Sequence, residues 1–138
     1  METEMKIEII SWKIIKTSIP TPQPLRTFRL SLLDKIYPPI YSATIFFYPS
    51  NPNKKGTITF QVLERSCRLQ NSLTKTLVHF YPLAGRLKDA ASIECNDQGA
   101  YYVEAQISSQ LDIELLHQIN PITDPKTTRL ASDSLMLI

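Results

Sequence analysis

The stretch "HFYPLAGRL", residues 79–87, decides how this chain is read. Upstream of it, Leu69, Leu73, Leu77 and Phe80 recur at spacings of four, four and three, which puts them on one stripe of a helix. Pro82 then forbids continuation, because proline has no backbone donor and disfavours α geometry in the residue before it. The spacing predicts a helix from near Val62 to near Phe80, long enough to cross one face of a sheet. Beyond the joint, Leu83, Ala84, Gly85 and Arg86 lead into strand-like sequence, so the joint is rigid and abrupt.

Working towards the N-terminus, "PSNPNKKG" (residues 49–56) is a turn and loop signal, and "ATIFFY" (43–48) before it is rich in β-branched and aromatic residues, which predicts a strand. "LSLLDKI" (30–36) is an apolar run closed by Asp34, and "YPPIY" forces a further turn. "SIPTPQPL" (18–25) carries Pro20, Pro22 and Pro24 at alternate positions and reads as an extended, donor-poor connector. Residues 6–16 alternate in two phases: Ile7 and Ile9 have one parity, Ile10, Trp12 and Ile14 the other. A bulge near Ile9 and Ile10, or burial of both faces, reconciles them.

Working towards the C-terminus, "SIECNDQGAYYVEAQI" (92–107) predicts two strands joined by a turn at Asn96–Gly99, a hairpin in which Tyr101, Val103, Ala105 and Ile107 alternate with Tyr102, Glu104 and Gln106. "LDIELLHQIN" (111–120) offers an Asp cap and a short apolar helix stopped by Pro121. "SLMLI" (134–138) is apolar and β-like, with no polar tail after it.

A chain of 138 residues can bury a core, and 43% apolar with 20% charged residues is the composition of a globular protein. The net charge of +2 is spread over scattered pairs such as Lys54 and Lys55, which excludes a basic nucleic-acid stripe. The N-terminal "METEMKIEIISWK" has early acids and no long apolar core, no later run approaches a membrane span, and the expected compartment is the cytoplasm. Cys67 and Cys95 lack CxxC spacing and are expected as reduced thiols facing the core.

Glycines occur only at 56, 85 and 99, so neither a GxGxxG loop nor a GxSxG elbow is possible. No pair of His or Cys has the spacing of a metal half-site, so no metal is expected. His79 at the helix end and His117 beside Asp112 and Glu114 are the two imidazoles, and neither has the setting of a general base.

The stretches "TPQPLRTFRLSLLDKI", "IFFYP", "LQNSLTKTLVHFYPLAGRLKD" and "IECNDQGAYYVEAQI", in this order, resemble the N-terminal part of the BAHD family of plant acyl-CoA-dependent acyltransferases, in its alkaloid and alcohol acetyltransferase branch. The resemblance covers residues 6–107 and is looser over 108–138. It implies an α/β chain, part of the first domain of a chloramphenicol acetyltransferase-like two-domain fold, with a mixed sheet and one long helix. Residues 1–138 would then be an incomplete N-terminal domain, with the second domain absent. It also implies that Pro82 stops the helix, Gly85 permits the turn and Arg86 anchors the joint by hydrogen bonds.

In that family a His in an HxxxD motif takes the proton from an acceptor hydroxyl or amine, which attacks the thioester of acyl-CoA. Here His79 is followed four residues later by Leu83 and His117 by Pro121, and the second signature, DFGWG, is missing. The family's HxxxD loop follows the strand that corresponds to "SLMLI". No catalytic residue and no residue that binds a cofactor is therefore assigned to this chain, acyl-CoA being the co-substrate of full-length members. By position, Tyr41, Thr44 and Phe46 would line the acceptor pocket, with core or edge packing as their alternative. The partners implied are a small-molecule acceptor and acyl-CoA in a complete enzyme, with no nucleic acid, no membrane, and an association with a full-length relative as an option. The expected function is an inactive N-terminal fragment of an acyltransferase of plant specialised metabolism. The alternatives are a non-catalytic protein-binding module derived from such an enzyme and a self-contained α+β domain.

Overall fold

A computed structural model describes residues 7–37, 44–49, 53 and 55–107. The chain order is β1 (Ile7–Ile15), β2 (Thr27–Arg29), α1 (Leu32–Ile36), α2 (Ile58–His79), β3 (Arg86–Asp89), β4 (Ser92–Glu94) and β5 (Ala100–Ile107). The strands form two antiparallel sheets, β1–β5 and β2–β4–β3, with β4 central in the second.

Helix α2 has 22 residues, about 33 Å at 1.5 Å per residue. It starts one turn before the predicted point, because Thr57 caps it: the Thr57 hydroxyl accepts from the Phe60 N–H at 3.3 Å. The predicted stripe is only half right. Leu73 and Leu77 are buried, whereas Leu69 and Phe80 are exposed. The sheet contact lies on a neighbouring strip of the helix that includes the polar Ser66 and Gln70, which a count of apolar residues passes over.

The two phases of β1 are reconciled by a bulge. The register slips between Ile9 and Ser11, so Ile9, Trp12 and Ile14 come to face Ala105, Val103 and Tyr101 in turn. Ser11, Lys13 and Ile15 pair with Glu104, Tyr102 and Ala100 on the other side, the side that α2 covers. Ile15, Leu73, Leu77, Ala84, Ala100 and Tyr102 form the core cluster, and fully burying a side chain such as Leu77 contributes roughly 1.5–3 kcal/mol.

The predicted hairpin over 92–107 is corrected. β4 pairs with β3 and β2, whereas β5 pairs with β1, so the Asn96–Gly99 turn carries the chain from one sheet to the other. The real hairpin is β3–β4. Its turn is held by the Asp89 carboxylate, which accepts from the Ala91 N–H at 2.8 Å and the Ser92 hydroxyl at 2.9 Å. Two further differences concern burial and strand content. Cys67 is exposed on α2, while Cys95 is buried. Residues 44–48 carry no strand pairing, so aromatic and β-branched content there is not matched by a ladder partner. The run "LSLLDKI" becomes the short α1, closed by a reciprocal cap: Asp34 N–H donates to the Ser31 hydroxyl at 3.2 Å and the Asp34 carboxylate accepts from the Ser31 N–H at 2.9 Å. The expectations for 111–120, His117 and 134–138 lie outside the described residues.

Candidate functional site

Of the three residues expected at an acceptor pocket, Tyr41 lies outside the described residues. Thr44 and Phe46 are exposed in a segment without regular structure. What the described residues do assemble is the scaffold around the joint.

Helix α2 ends at His79, and Phe80 leaves helical geometry while its N–H still reaches the Thr76 carbonyl at 2.9 Å. Residues Tyr81–Ala84 then make one 3-10 turn, closed by Leu83 N–H to Phe80 O at 2.9 Å and Gly85 N–H to Pro82 O at 3.0 Å. Pro82 sits within the first turn, where a missing donor costs nothing. Gly85 is required for a reason other than the one expected. Its backbone is extended, and a Cβ there would lie 2.4 Å from the Glu94 carbonyl oxygen, so it is close approach rather than turn geometry that selects glycine.

Arg86 does anchor the joint. One of its terminal nitrogens donates to Gly85 O at 2.7 Å and to Gly99 O at 2.9 Å, and its guanidinium lies 5.9 Å from the centre of the Tyr101 ring. The Gly99 N–H returns a bond to Ala84 O at 2.9 Å. The 79–87 joint and the 96–99 turn are thus a single cross-braced unit.

A second clasp ties the proline connector to the same turn. Asp97 accepts from the Thr21 N–H at 2.9 Å and the Thr21 hydroxyl at 2.6 Å, and Arg26 lies 3.8 Å from it while donating to Thr21 O at 3.1 Å. Burial opposes the Asp97 charge, but the two Thr21 hydrogen bonds and the Arg26 charge outweigh it and hold the carboxyl below its ordinary range. Neither the clasp nor the importance of Thr21, which is buried, was visible in the sequence; a connector threonine carries no signal of its partner 76 residues away.

A third group sits between α2 and the sheet. Glu104 accepts from the Ser66 hydroxyl and from the Ser11 hydroxyl at 2.7 Å, Gln70 donates to Ser66 at 2.8 Å, and Lys13 donates to Gln70 at 3.3 Å. The Ser66 and Ser11 bonds, in that order, lower the Glu104 carboxyl, partial burial opposing them. A carboxylate held in its charged form with both oxygens occupied is a poor proton acceptor, so this network fastens the helix to the sheet rather than doing chemistry. His79 is exposed at the end of α2. Among the described residues no three His, Cys, Asp or Glu groups converge as a metal site.

These braces embed the "FYPLAGRL" sequence in a fold that matches known enzymes. The family model described as Transferase family matches residues 5–131. The chain belongs to this family, the BAHD transferases. It is 43% identical over 114 residues to epi-neemfruitin B synthase L1AT of Melia azedarach, covering 83% of this chain and 25% of that protein. To the (13S,14R)-1,13-dihydroxy-N-methylcanadine 13-O-acetyltransferase AT1 of Papaver somniferum it is 41% identical over 107 residues, covering 76% of this chain and 22% of that protein. The crystal structure of vinorine synthase superposes with a TM-score of 0.62 at 37% identity, over 77% of this chain and 25% of that one.

The chain thus spans about a quarter of the length of the BAHD relatives it matches. The vinorine synthase match bears out the fold class, part of the first domain of that architecture. The BAHD family uses acyl-CoA with small-molecule acceptors. No helix among the described residues is long and apolar enough to cross a membrane.

Proposed function

We propose that this chain is the N-terminal scaffold portion of an acyl-CoA-dependent acyltransferase acting on a hydroxyl or amine of a plant specialised metabolite, and that these 138 residues by themselves do not turn over. The observation that supports this most directly is the joint. The helix stop, the Gly85 close approach and the Arg86 bridge to Gly99 form a braced corner, and the chain holding it has no HxxxD to supply a general base. A positioned base typically contributes about 10²- to 10⁴-fold in rate, and a scaffold without one has no means of deprotonating the acceptor.

Tyr41, Thr44 and Phe46 are proposed as the acceptor-side contribution of this portion. The exposure of Thr44 and Phe46 leaves both side chains available to a ligand wall made jointly with further chain. Acyl-CoA, on this reading, is held elsewhere in a complete enzyme, and no residue of this chain is assigned to it. The reading places the protein in the cytoplasm.

The test is to incubate the purified chain with acetyl-CoA and a panel of alcohols and to follow free thiol. The expected rate is that of acetyl-CoA hydrolysis in buffer. Acceptor-dependent thiol release above that background would overturn the proposal.

A further inference from the structure

The β1–β5 sheet is inside out. In a sheet with one face in water, apolar residues point at the covering layer and polar ones at solvent. Here the face under α2 carries Ser11, Lys13 and Glu104 along with Ile15 and Tyr102, and the face turned away from α2 carries Ile9, Trp12, Ile14, Tyr101 and Val103. On that outer face Trp12 is 61% exposed, Ile14 43% and Ile9 41%. Five large apolar side chains contiguous on one surface are more than scattered surface hydrophobes, and such a patch marks an interaction site.

What covers it is suggested by the comparison in length. Relatives that match this chain along most of its extent carry about three quarters of their own length beyond the matched part. We infer that the outer face of β1–β5 is the docking surface for the remaining three quarters of a BAHD chain, and that this chain can receive that portion as a separate polypeptide. The inference rests on the functional reading above, because it takes the covered state to be that of an assembled acyltransferase. The chemistry of the patch suits a protein partner. The patch is apolar at its centre, with the Arg86 guanidinium stacked at its edge against Tyr101, which is the aromatic and arginine composition that protein interfaces favour.

Trp12 is the only tryptophan of the chain and lies on the patch, so it reports directly. The full chain is produced with 5-fluorotryptophan and its single ¹⁹F resonance is followed on adding epi-neemfruitin B synthase L1AT of Melia azedarach lacking the N-terminal 25% that corresponds to the share of that protein which this chain matches. The same two polypeptides are also co-expressed. The expected result is a shifted, solvent-shielded Trp12 resonance in a 1:1 complex, soluble partner on co-expression, and at least a tenfold weakening of the complex by Ile14→Lys.

An unchanged resonance with soluble partner overturns the inference, and so does a partner that stays insoluble beside the chain. A resonance already shielded in the dilute chain alone would mean that the chain covers the patch itself. Shielding that grows with concentration of the chain alone would mean a second copy does. Either outcome also overturns it. A covalent fusion of the two polypeptides, assayed with acetyl-CoA, separates this from the functional reading. An active fusion without a complex in trans sinks only the docking, and a complex with an inactive fusion sinks only the acyltransferase reading.

Discussion

The two faces of the β1–β5 sheet are made from alternate residues of the same strands and have opposite fates. The inner face is held to α2 by Ile15, Tyr102, Leu73 and Leu77 and by the Glu104 network, whereas the outer face, richer in large apolar groups, has no helix or strand packed on it among the described residues and leaves Trp12, Ile14 and Ile9 exposed. Hydrophobicity alone therefore did not choose the buried side. The direction was set by the helix that the Pro82 joint returns to the sheet and by the hydroxyls that meet Glu104 beneath it. A sheet can accept a partly polar inner face only where each polar group finds a partner, and here Ser11, Ser66, Gln70 and Lys13 supply them.

The comparison can be broken most severely where the two faces meet, at Gly99. Its φ is +93°, and a Cβ would fall 2.4 Å from the Ile15 carbonyl oxygen and 2.9 Å from the outer-facing Ile14 side chain. Gly99→Ala combines backbone strain with steric overlap and is expected to cost roughly 3–4 kcal/mol, read as a lowered urea midpoint. An unchanged midpoint would mean that the turn is not fixed as described.

Leu77→Ala removes a fully buried α2 side chain from the core cluster under the inner face and is expected to cost about 3 kcal/mol. The paired substitution Leu63→Ala, on the same helix but exposed, is expected to change stability by no more than about 0.5 kcal/mol. Equal effects would show that the helix buries its whole apolar surface and that burial is not confined to its contact with the sheet.

That contrast also explains what the sequence disclosed. The helix, its stop at the proline and the bulge in β1 are written in local patterns: a spacing near 3.6, a missing donor, a change of parity. The partners are not. β4 and β5 look like one hairpin because they are neighbours with turn residues between them, but β5 finds its ladder in β1, roughly ninety residues upstream, and Asp97 finds Thr21. Long-range pairing has no local signature, and neither has Gly85, whose need for a bare Cα arises from the Glu94 carbonyl across the sheet. Ser66 and Gln70 leave no mark in an apolar spacing, because their value depends on Glu104 lying opposite. The family was legible through the joint, whereas the anchoring by Arg86, which the structure bears out, and the proposed acceptor residues both came from the resemblance.

The Glu104 network tests the inner face by pH. Its carboxyl is lowered by Ser66 and Ser11, and that of Asp97 is lowered by Thr21 and Arg26, so each group gives up protons more readily when folded than when unfolded. The stability they contribute is therefore complete above the unfolded carboxylate range of about 4 and is lost as pH falls through the lower folded values. The urea midpoint should fall from pH 6 to pH 3. Glu104→Ala should cost about 1–2 kcal/mol at pH 6 and less at pH 3, since protonation has by then removed much of the same interaction. A cost that is independent of pH would mean that the carboxylate charge has no part in fastening the helix.

The smallest expected effect is the one that makes the outer face testable. Trp12 pairs with Val103 across the strands but remains mostly in water, so Trp12→Lys in the isolated chain loses a cross-strand contact worth at most about 1 kcal/mol and keeps its stem against the sheet. A stability loss comparable to that of Leu77→Ala would show that the outer face is already packed within the chain. A near-silent change leaves the same substitution free to act only on what the face receives from outside, where a buried, unpaired ammonium is expensive. Measured side by side, stability of the chain and affinity for its complement then respond to different faces of one two-stranded sheet.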